Sequence, residues 1–242
     1  MKLKLIKPNE KNYANLLKDA CNSGRLDIID LLIKNKYIDI RITDNDGRTI
    51  LHHAIESESM DMVKYAVSLK GININQKDKS GDTALYMASK FICDFEIVKI
   101  LIYLNQIDIN IKYSNGNSSL HEASSNNNVN LIKYLVKQKG IKLNSKNDNG
   151  ETILHIACEN CDFATVKFLI DLQVFDLKEK SKYNQTLLHY ACQSKNVETI
   201  KYFIELNKIE LDAKDSDNKT ILYVACEILK LLNLLFLSIN SI

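Results

Sequence analysis

The sequence contains few of the residues that are enriched in disordered segments: it has one proline, Pro8, and seven glycines in 242 residues. This scarcity argues against long disordered linkers, and a hydrophobic content of 45% is typical of a folded protein. Residues 1–12 alternate Lys with Leu and Ile before Pro8 and lack the apolar core of a secretory signal. We therefore expect an intracellular protein, cytoplasmic with a nuclear location left open.

Positive charge suited to nucleic acid is also scarce. The formal net charge is +2, from 32 basic and 30 acidic residues, and only Arg25, Arg41 and Arg48 are arginines. Phosphate recognition favours the bidentate guanidinium group and a strongly basic surface. The sequence therefore predicts no nucleic-acid partner.

What the sequence does contain is a motif that recurs about every 34 residues. It runs Gly or Asn, any residue, Thr or Ser, any residue, Leu, His or Tyr, any residue, Ala, and starts at residues 47, 81, 116, 150, 184 and 218. Such a period is typical of an array of small stacked units. Each motif follows a polar turn, and its first residue, Gly or Asn, tolerates the positive φ of a tight turn.

Each repeat predicts two short helices. Thr49 and its equivalents can cap a first helix, while a second apolar cluster such as Val129, Ile132 and Val136 has helical spacing. A stretch of period-two alternation, such as residues 141–144, then leads into the next turn in an extended form. Helices of roughly eight to ten residues are too short to be stable alone, so stacking must stabilise them.

The motif, the helix pair and the extended turn resemble the ankyrin repeat, whose period is about 33 residues. The resemblance covers residues 13–225; the chain departs from the family in lacking the motif proline, in a linker one residue longer and in an insertion near Phe91 to Asp94. It implies an all-α fold: an ankyrin-repeat solenoid of helix-turn-helix units joined by extended β-turn or hairpin segments. The expected segments are an N-terminal stretch, a degenerate first unit, five full units and an incomplete last unit within an array spanning 13–242: 1–12, 13–43, 44–77, 78–112, 113–146, 147–180, 181–214 and 215–242.

The residue types that could catalyse or bind metal fall mostly inside the repeat register. The string His155-x-x-Cys158-x-x-Cys161 has ligand types, but its first two members recur as His189 and Cys192, which indicates packing. We predict no enzyme activity, no metal and no cofactor. The resemblance implies instead a structural role, with histidine rings that bond backbone across neighbouring turns, for Thr49, His52, Thr83, His121, Thr152, His155, Thr186, His189 and Thr220.

One lysine per repeat recurs on the predicted second helix, at Lys64, Lys99, Lys133, Lys167 and Lys201. Stacking would align these lysines into a stripe that could bind acidic partners or nucleic acid. Interspersed acidic residues favour the other interpretation, a solvated helix face.

The resemblance implies a non-enzymatic scaffold that binds a protein partner through a concave face of turn tips and first-helix ends. These positions vary between repeats while the framework does not. Tyr183, Tyr190, Met87 and Phe91 are the expected anchors, since aromatic residues are common among binding hot spots. The expected contact residues are Asn45, Asp46, Arg48, Lys79, Ser80, Asp82, Met87, Lys90, Phe91, Ser114, Asn115, Asn117, Glu122, Asp148, Asn149, Glu151, Lys182, Tyr183, Gln185, Tyr190 and Gln193.

The apolar run after Ala225 leaves several roles open. Residues 221–242 could be a cap helix, a truncated unit, a surface for self-association or, as an alternative function, a tail anchor, for which about 20 residues suffice. Glu227, Lys230 and Asn233 recur every third residue, as on one edge of an amphipathic helix, and make membrane insertion the less favoured role.

Overall fold

The computed structural model describes residues 10–90, 95–104, 106–206, 210, 212–221 and 223. Within these residues it contains twelve helices: α1 (Glu10–Asn22), α2 (Leu26–Lys34), α3 (Ile50–Glu56), α4 (Met60–Ser68), α5 (Ala84–Lys90), α6 (Phe95–Tyr103), α7 (Ser119–Ser125), α8 (Val129–Leu135), α9 (Ile153–Asn160), α10 (Phe163–Asp171), α11 (Leu187–Gln193) and α12 (Val197–Leu206). From α3 onward, odd-numbered helices start in the motif and even-numbered helices start at the second apolar cluster. All twelve are short enough to depend on their neighbours for stability.

The chain divides into an N-terminal block, Met1–Ser114, and a C-terminal block, Asn115–Ile242. In the N-terminal block α3 packs against α1, α4 and α5, and α4 packs against α6. In the C-terminal block α9 packs against α7, α10 and α11, and α10 packs against α12. Within each block, helices therefore contact their pair and the adjacent repeats, as the predicted all-α stack requires.

The core consists of the invariant motif positions and the inner faces of the second helices. Leu120, Ala123 and Ala157 are fully buried, as are Val166 and Leu169 on α10. Cys21, Cys158 and Cys192 are likewise buried free thiols with no exposed surface. The burial of Cys158 and Cys192 agrees with the packing role that their place in the repeat register indicates.

Successive turns are joined by backbone hydrogen bonds. The N–H of Asp148 donates to the carbonyl of Asn115 at 3.1 Å, and the N–H of Lys182 donates to the carbonyl of Asn149 at 2.7 Å. The two Asn residues that replace the motif glycine, at 184 and 218, take φ values of 57° and 59°. The turn backbones therefore form a regular ladder, from which the tip side chains project.

A second left-handed position lies between the two helices of a repeat, and it offers a stability test. Lys195, just after α11, has φ 60°, and its counterpart Asn127 after α7 has φ 50°. Left-handed backbone costs a lysine about 1–2 kcal/mol, less the ~0.5–1 kcal/mol by which glycine loosens the unfolded chain. We expect Lys195→Gly to raise the free energy of unfolding in urea by about 0.5–1 kcal/mol. Asn127→Gly is the matched control and should gain less, because asparagine tolerates this region; equal gains would contradict the strain at Lys195.

Candidate binding surface

A set of hydrogen bonds made by the motif histidine, which we call the bracket, fixes the start of the first helices. In α9 the backbone N–H of Thr152 donates to Nδ1 of His155 at 3.2 Å, and the Thr152 hydroxyl lies 2.9 Å from the same nitrogen. Nε2 of His155 lies 3.2 Å from the carbonyl oxygen of Glu179. A backbone N–H can only donate, so Nδ1 accepts and the ring proton sits on Nε2, pointing to that carbonyl. Brackets of the same form join His52 to Asp82, His121 to Glu151 and His189 to Lys219, with Nε2 to oxygen distances of 3.2, 3.2 and 3.4 Å.

This bracket leaves the histidines unsuited to chemistry. Burial lowers the pKa of His155 to about 4 and also lowers the pKa of His52 and His189, so these rings are neutral near pH 7. Both ring nitrogens are already engaged in the bracket. Throughout the described residues, no group of three His, Cys, Asp or Glu side chains is placed to hold a metal ion.

Tyrosine replaces the motif histidine in two repeats, at Tyr86 and Tyr223. Other contacts stand in place of the bracket there. The hydroxyls of Thr83 and Tyr113 lie 3.3 Å apart, and the rings of Tyr86 and Tyr113 pack with centroids 3.7 Å apart. Around Thr220, the hydroxyl accepts from the N–H of Tyr223 at 3.3 Å. The tyrosine at this motif position is therefore a packing residue at Tyr86, which is 5% exposed, whereas Tyr223 is 51% exposed.

The two thiols of the Cys158-x-x-Cys161 string are held in their protonated form. Burial raises the pKa of Cys161 to about 12 and raises the pKa of Cys158 well above its ordinary value. Cys161 also donates from Sγ to the carbonyl of Ser124 at 3.3 Å. Since the thiolate is the reactive and metal-binding form, these cysteines act as packing residues.

The expected contact residues fall into four groups. Most of the turn-tip residues and two helix-end residues are exposed: Asn45, Asp46, Lys79, Ser80, Lys90, Ser114, Asn115, Asp148, Asn149, Lys182, Tyr183 and Gln193. The expected contact residue directly after the motif glycine or asparagine is half-buried in four repeats, at Arg48, Asp82, Glu151 and Gln185, and buried in one, at Asn117. Three on the first helices are buried: Met87, Glu122 and Tyr190. Phe91 lies outside the described residues.

Two of the expected anchors belong to the core. Met87 is 1% exposed and Tyr190 is 3% exposed, so neither can contact a partner without leaving its packing. The Tyr190 hydroxyl donates to the Glu151 carboxylate at 2.7 Å, and its ring packs edge-on against His155. Tyr183, 52% exposed at a turn tip, is the aromatic side chain that remains available.

In the N-terminal block, charged side chains of the turns and of the end of the first helix pair with one another. Arg48 pairs with Glu56 at the end of α3 and lies 3.4 Å from the carboxylate of Asp78. The buried ring of His53 lies 3.2 Å from Asp44 on one side and 3.2 Å from Glu56 on the other. The Arg48 guanidinium therefore faces carboxylates of its own block rather than the solvent.

In the C-terminal block the same surface opens into a depression of about 370 Å³. Turn residues and first-helix ends line it: Asn115, Asn117, Asn147, Asp148, Asn149, Glu151, Ser125, Ile156, Glu159 and Asn160. We call this the acidic depression. The sequence does not point to Asn147, Ile156 or Asn160 as site residues. Asn147 opens its turn, where it accepts two backbone N–H groups and donates to Glu151 at 2.6 Å.

The charge of the acidic depression is not balanced from within. Burial raises the pKa of Glu159, and the nearby charge of Glu151 raises it further. Among the described residues, ion pairs join lysine or arginine to other carboxylates, and none of them includes Glu151 or Glu159. The depression therefore attracts cationic and hydrogen-bond-donating groups.

Comparison with known proteins identifies the repeat. The sequence profile described as "Ankyrin repeats (3 copies)" matches residues 16–113, 93–180 and 165–241. The chain belongs to the ankyrin-repeat family. This membership confirms the resemblance and the predicted all-α solenoid class, and it supports a role in protein–protein interaction.

One solved structure similar to this ankyrin-repeat protein is a complex of two proteins. A chain in the structure titled as the Bd0816 predatory endopeptidase from Bdellovibrio bacteriovorus in complex with immunity protein Bd3460 is 29% identical, with a TM-score of 0.68. The match covers 78% of this chain and 96% of that chain. No curated protein matches the sequence.

Two lysines of the stripe of this ankyrin-repeat protein, Lys133 and Lys167, contact the next repeat. In the C-terminal block, Nζ of Lys133 lies 5.6 Å from the centroid of the Phe168 ring, and Nζ of Lys167 lies 5.6 Å from that of Tyr202. Each lysine thus lies over an aromatic ring of the next repeat, at a cation–π distance. Lys167 also pairs with Asp171 at 2.9 Å.

The alternative of a membrane anchor falls mostly on residues 222 and 224–242, outside the described part of the chain. Among the helices that are described, none combines the length and the apolar character needed to cross a bilayer.

Proposed function

We propose that this ankyrin-repeat protein is a non-enzymatic scaffold that binds a protein partner through its turn tips and first-helix ends, the concave face of the family. The observation that carries this proposal is the contrast between a regular backbone ladder and the varied, exposed side chains that project from it. Asn149, Lys182 and Tyr183 are neighbours on that ladder and differ in size, charge and shape. A scaffold of this kind gains specificity from such differences.

The acidic depression is the proposed centre of the contact. It is concave, it is lined by amides that donate and accept hydrogen bonds, and its two glutamates have no cationic partner within the described residues. The exposed ring of Tyr183 supplies an apolar anchor from the following turn. We expect the partner to place a lysine, an arginine or another donor group in the depression.

A protein partner also agrees with the fold's neighbour. The Bd0816–Bd3460 structure shows a chain of this fold within a two-protein complex. The histidines and cysteines with catalytic chemistry are engaged in the framework here, which favours binding over catalysis. We infer a cytoplasmic or nuclear setting from the sequence.

The proposal is tested by affinity capture and mass spectrometry with a surface variant. Glu159→Ala, Lys182→Ala and Tyr183→Ala are combined, since all three side chains are exposed and their loss leaves the brackets and the ladder intact. Loss of a few contacts of about 1–2 kcal/mol each should lower recovery of the bound partner at least tenfold.

A control variant carries three exposed substitutions on the second helices and linkers instead: Lys137→Ala, Lys139→Ala and Glu205→Ala. It should recover the partner as well as the wild type does. The surface assignment is wrong if the control loses the partner and the turn variant keeps it.

A further inference from the structure

Two asparagines of the acidic depression, Asn115 and Asn149, are each followed by a glycine. In an Asn-Gly pair the side-chain amide is open to attack by the next backbone nitrogen, because glycine has no Cβ to shield that nitrogen. The sequence contains these two Asn-Gly pairs and no others. Both asparagines are exposed, so the bonds within each turn decide which of them reacts.

The turn of Asn149 engages its glycine nitrogen. The N–H of Gly150 donates to the carbonyl of Asn147 at 3.0 Å. Oδ1 of Asn147 accepts the N–H groups of Asn149 and Glu151 at 3.0 and 2.9 Å. The Gly150 nitrogen therefore cannot approach the Asn149 side chain without breaking its own bond. The same three bonds form in the turns that begin with an aspartate: Asp44, Asp78 and Asp215.

The turn of Asn115, residues 113–116, is built differently because it begins with Tyr113, a buried side chain that has no carboxylate or amide oxygen. Within the described part of the chain, the N–H of Gly116 makes no hydrogen bond. The N–H of Asn117 donates instead to Oδ1 of Asn115, at 3.0 Å. This bond is an Asx turn, and it closes a ring that contains both Cγ of Asn115 and the nitrogen of Gly116.

We propose that Asn115 is a site of spontaneous deamidation. The Gly116 nitrogen bonds to Cγ of Asn115 and loses its proton to water, while the bond from Cγ to the side-chain nitrogen breaks and that nitrogen leaves as ammonia with a proton from water. The N–H of Asn117, already bonded to Oδ1, stabilises the negative charge that this oxygen carries in the tetrahedral intermediate. Water then opens the cyclic imide at Cγ, which gives aspartate, or at the main-chain carbonyl, which gives isoaspartate.

Both products change the acidic depression. Each adds a carboxylate to a site that already contains Glu151 and Glu159. Isoaspartate also routes the backbone through the former side chain, which alters the Asn115 carbonyl that accepts the N–H of Asp148 at 3.1 Å. The negative charge of the depression therefore grows as the protein ages, and the ladder loosens at this turn. The inference concerns the turn itself and does not depend on the proposed partner-binding surface.

The two Asn-Gly pairs provide the test within one molecule. The full-length chain is incubated near neutral pH, and peptide mapping by mass spectrometry measures conversion at each asparagine. In the folded protein Asn115 should convert at least about tenfold faster than Asn149. In guanidinium chloride, where the turns are lost, the two rates should agree within about twofold. A folded ratio equal to the ratio in guanidinium chloride overturns the proposal, as does faster conversion at Asn149.

Asn147→Ala tests the structural cause. It removes the side-chain acceptor at the start of the Asn149 turn and leaves the backbone bonds of the Asn115 turn in place. In this variant, conversion of Asn149 should rise at least about threefold while that of Asn115 stays within about twofold. Circular dichroism verifies that the variant is folded. Unchanged conversion at Asn149 would overturn the role assigned to the residue that begins the turn.

Discussion

Gly116→Ala is expected to lower the free energy of unfolding by about 3 kcal/mol, because strain and overpacking act together at this residue. Gly116 has φ 72°, and an added Cβ would lie 2.6 Å from the backbone nitrogen of Asp148 and still closer to its carboxylate. The turn of Asp148 cannot retreat without losing the bond from its N–H to the Asn115 carbonyl. Urea unfolding followed by circular dichroism measures the loss.

Gly140→Ala separates the two causes. Gly140 has φ 82°, but a Cβ there would meet nothing within 4 Å. Its substitution should therefore cost only the left-handed strain, about 1 kcal/mol. Equal losses at both positions would show that the close approach of the turns contributes nothing.

The sequence alone predicts the turn but not this approach. A motif that begins with Gly or Asn indicates a positive φ, and Asn184 at φ 57° has it. Whether the next repeat comes within contact distance depends on how far successive turns are offset. That offset is set by packing between helices and is absent from the local pattern.

The sequence predicts only part of the candidate binding surface. Variation between repeats predicts exposure, and the side chains of Lys182 and Tyr183 are exposed. Residues also vary where neighbouring repeats bond to each other, as Tyr190 does with Glu151 at 2.7 Å. A comparison of the repeats cannot distinguish an exposed position from one that bonds to a neighbouring repeat, because both lie outside the shared framework.

The free energy of unfolding is expected to fall as the pH is lowered from 6.5 toward 4. His155 has a folded-state pKa of about 4, below its ordinary value of 6.5, because burial disfavours the imidazolium form. Between these values the unfolded chain binds a proton that the folded chain does not, so acid favours unfolding. The bracket of His155 alone should lose stability on the order of 3 kcal/mol across this range, and His52 and His189 act in the same direction.

His155→Tyr isolates this contribution, since the chain itself places Tyr86 and Tyr223 at the equivalent position. Tyrosine does not titrate between pH 4 and 6.5, so the variant should lose part of the slope of stability against pH whatever its stability at pH 7. Urea midpoints at several pH values give that slope. A slope equal to that of the wild type would mean that His155 takes up no fewer protons in the folded chain than in the unfolded chain across this range, and Nδ1 of the protonated ring could not accept the N–H of Thr152.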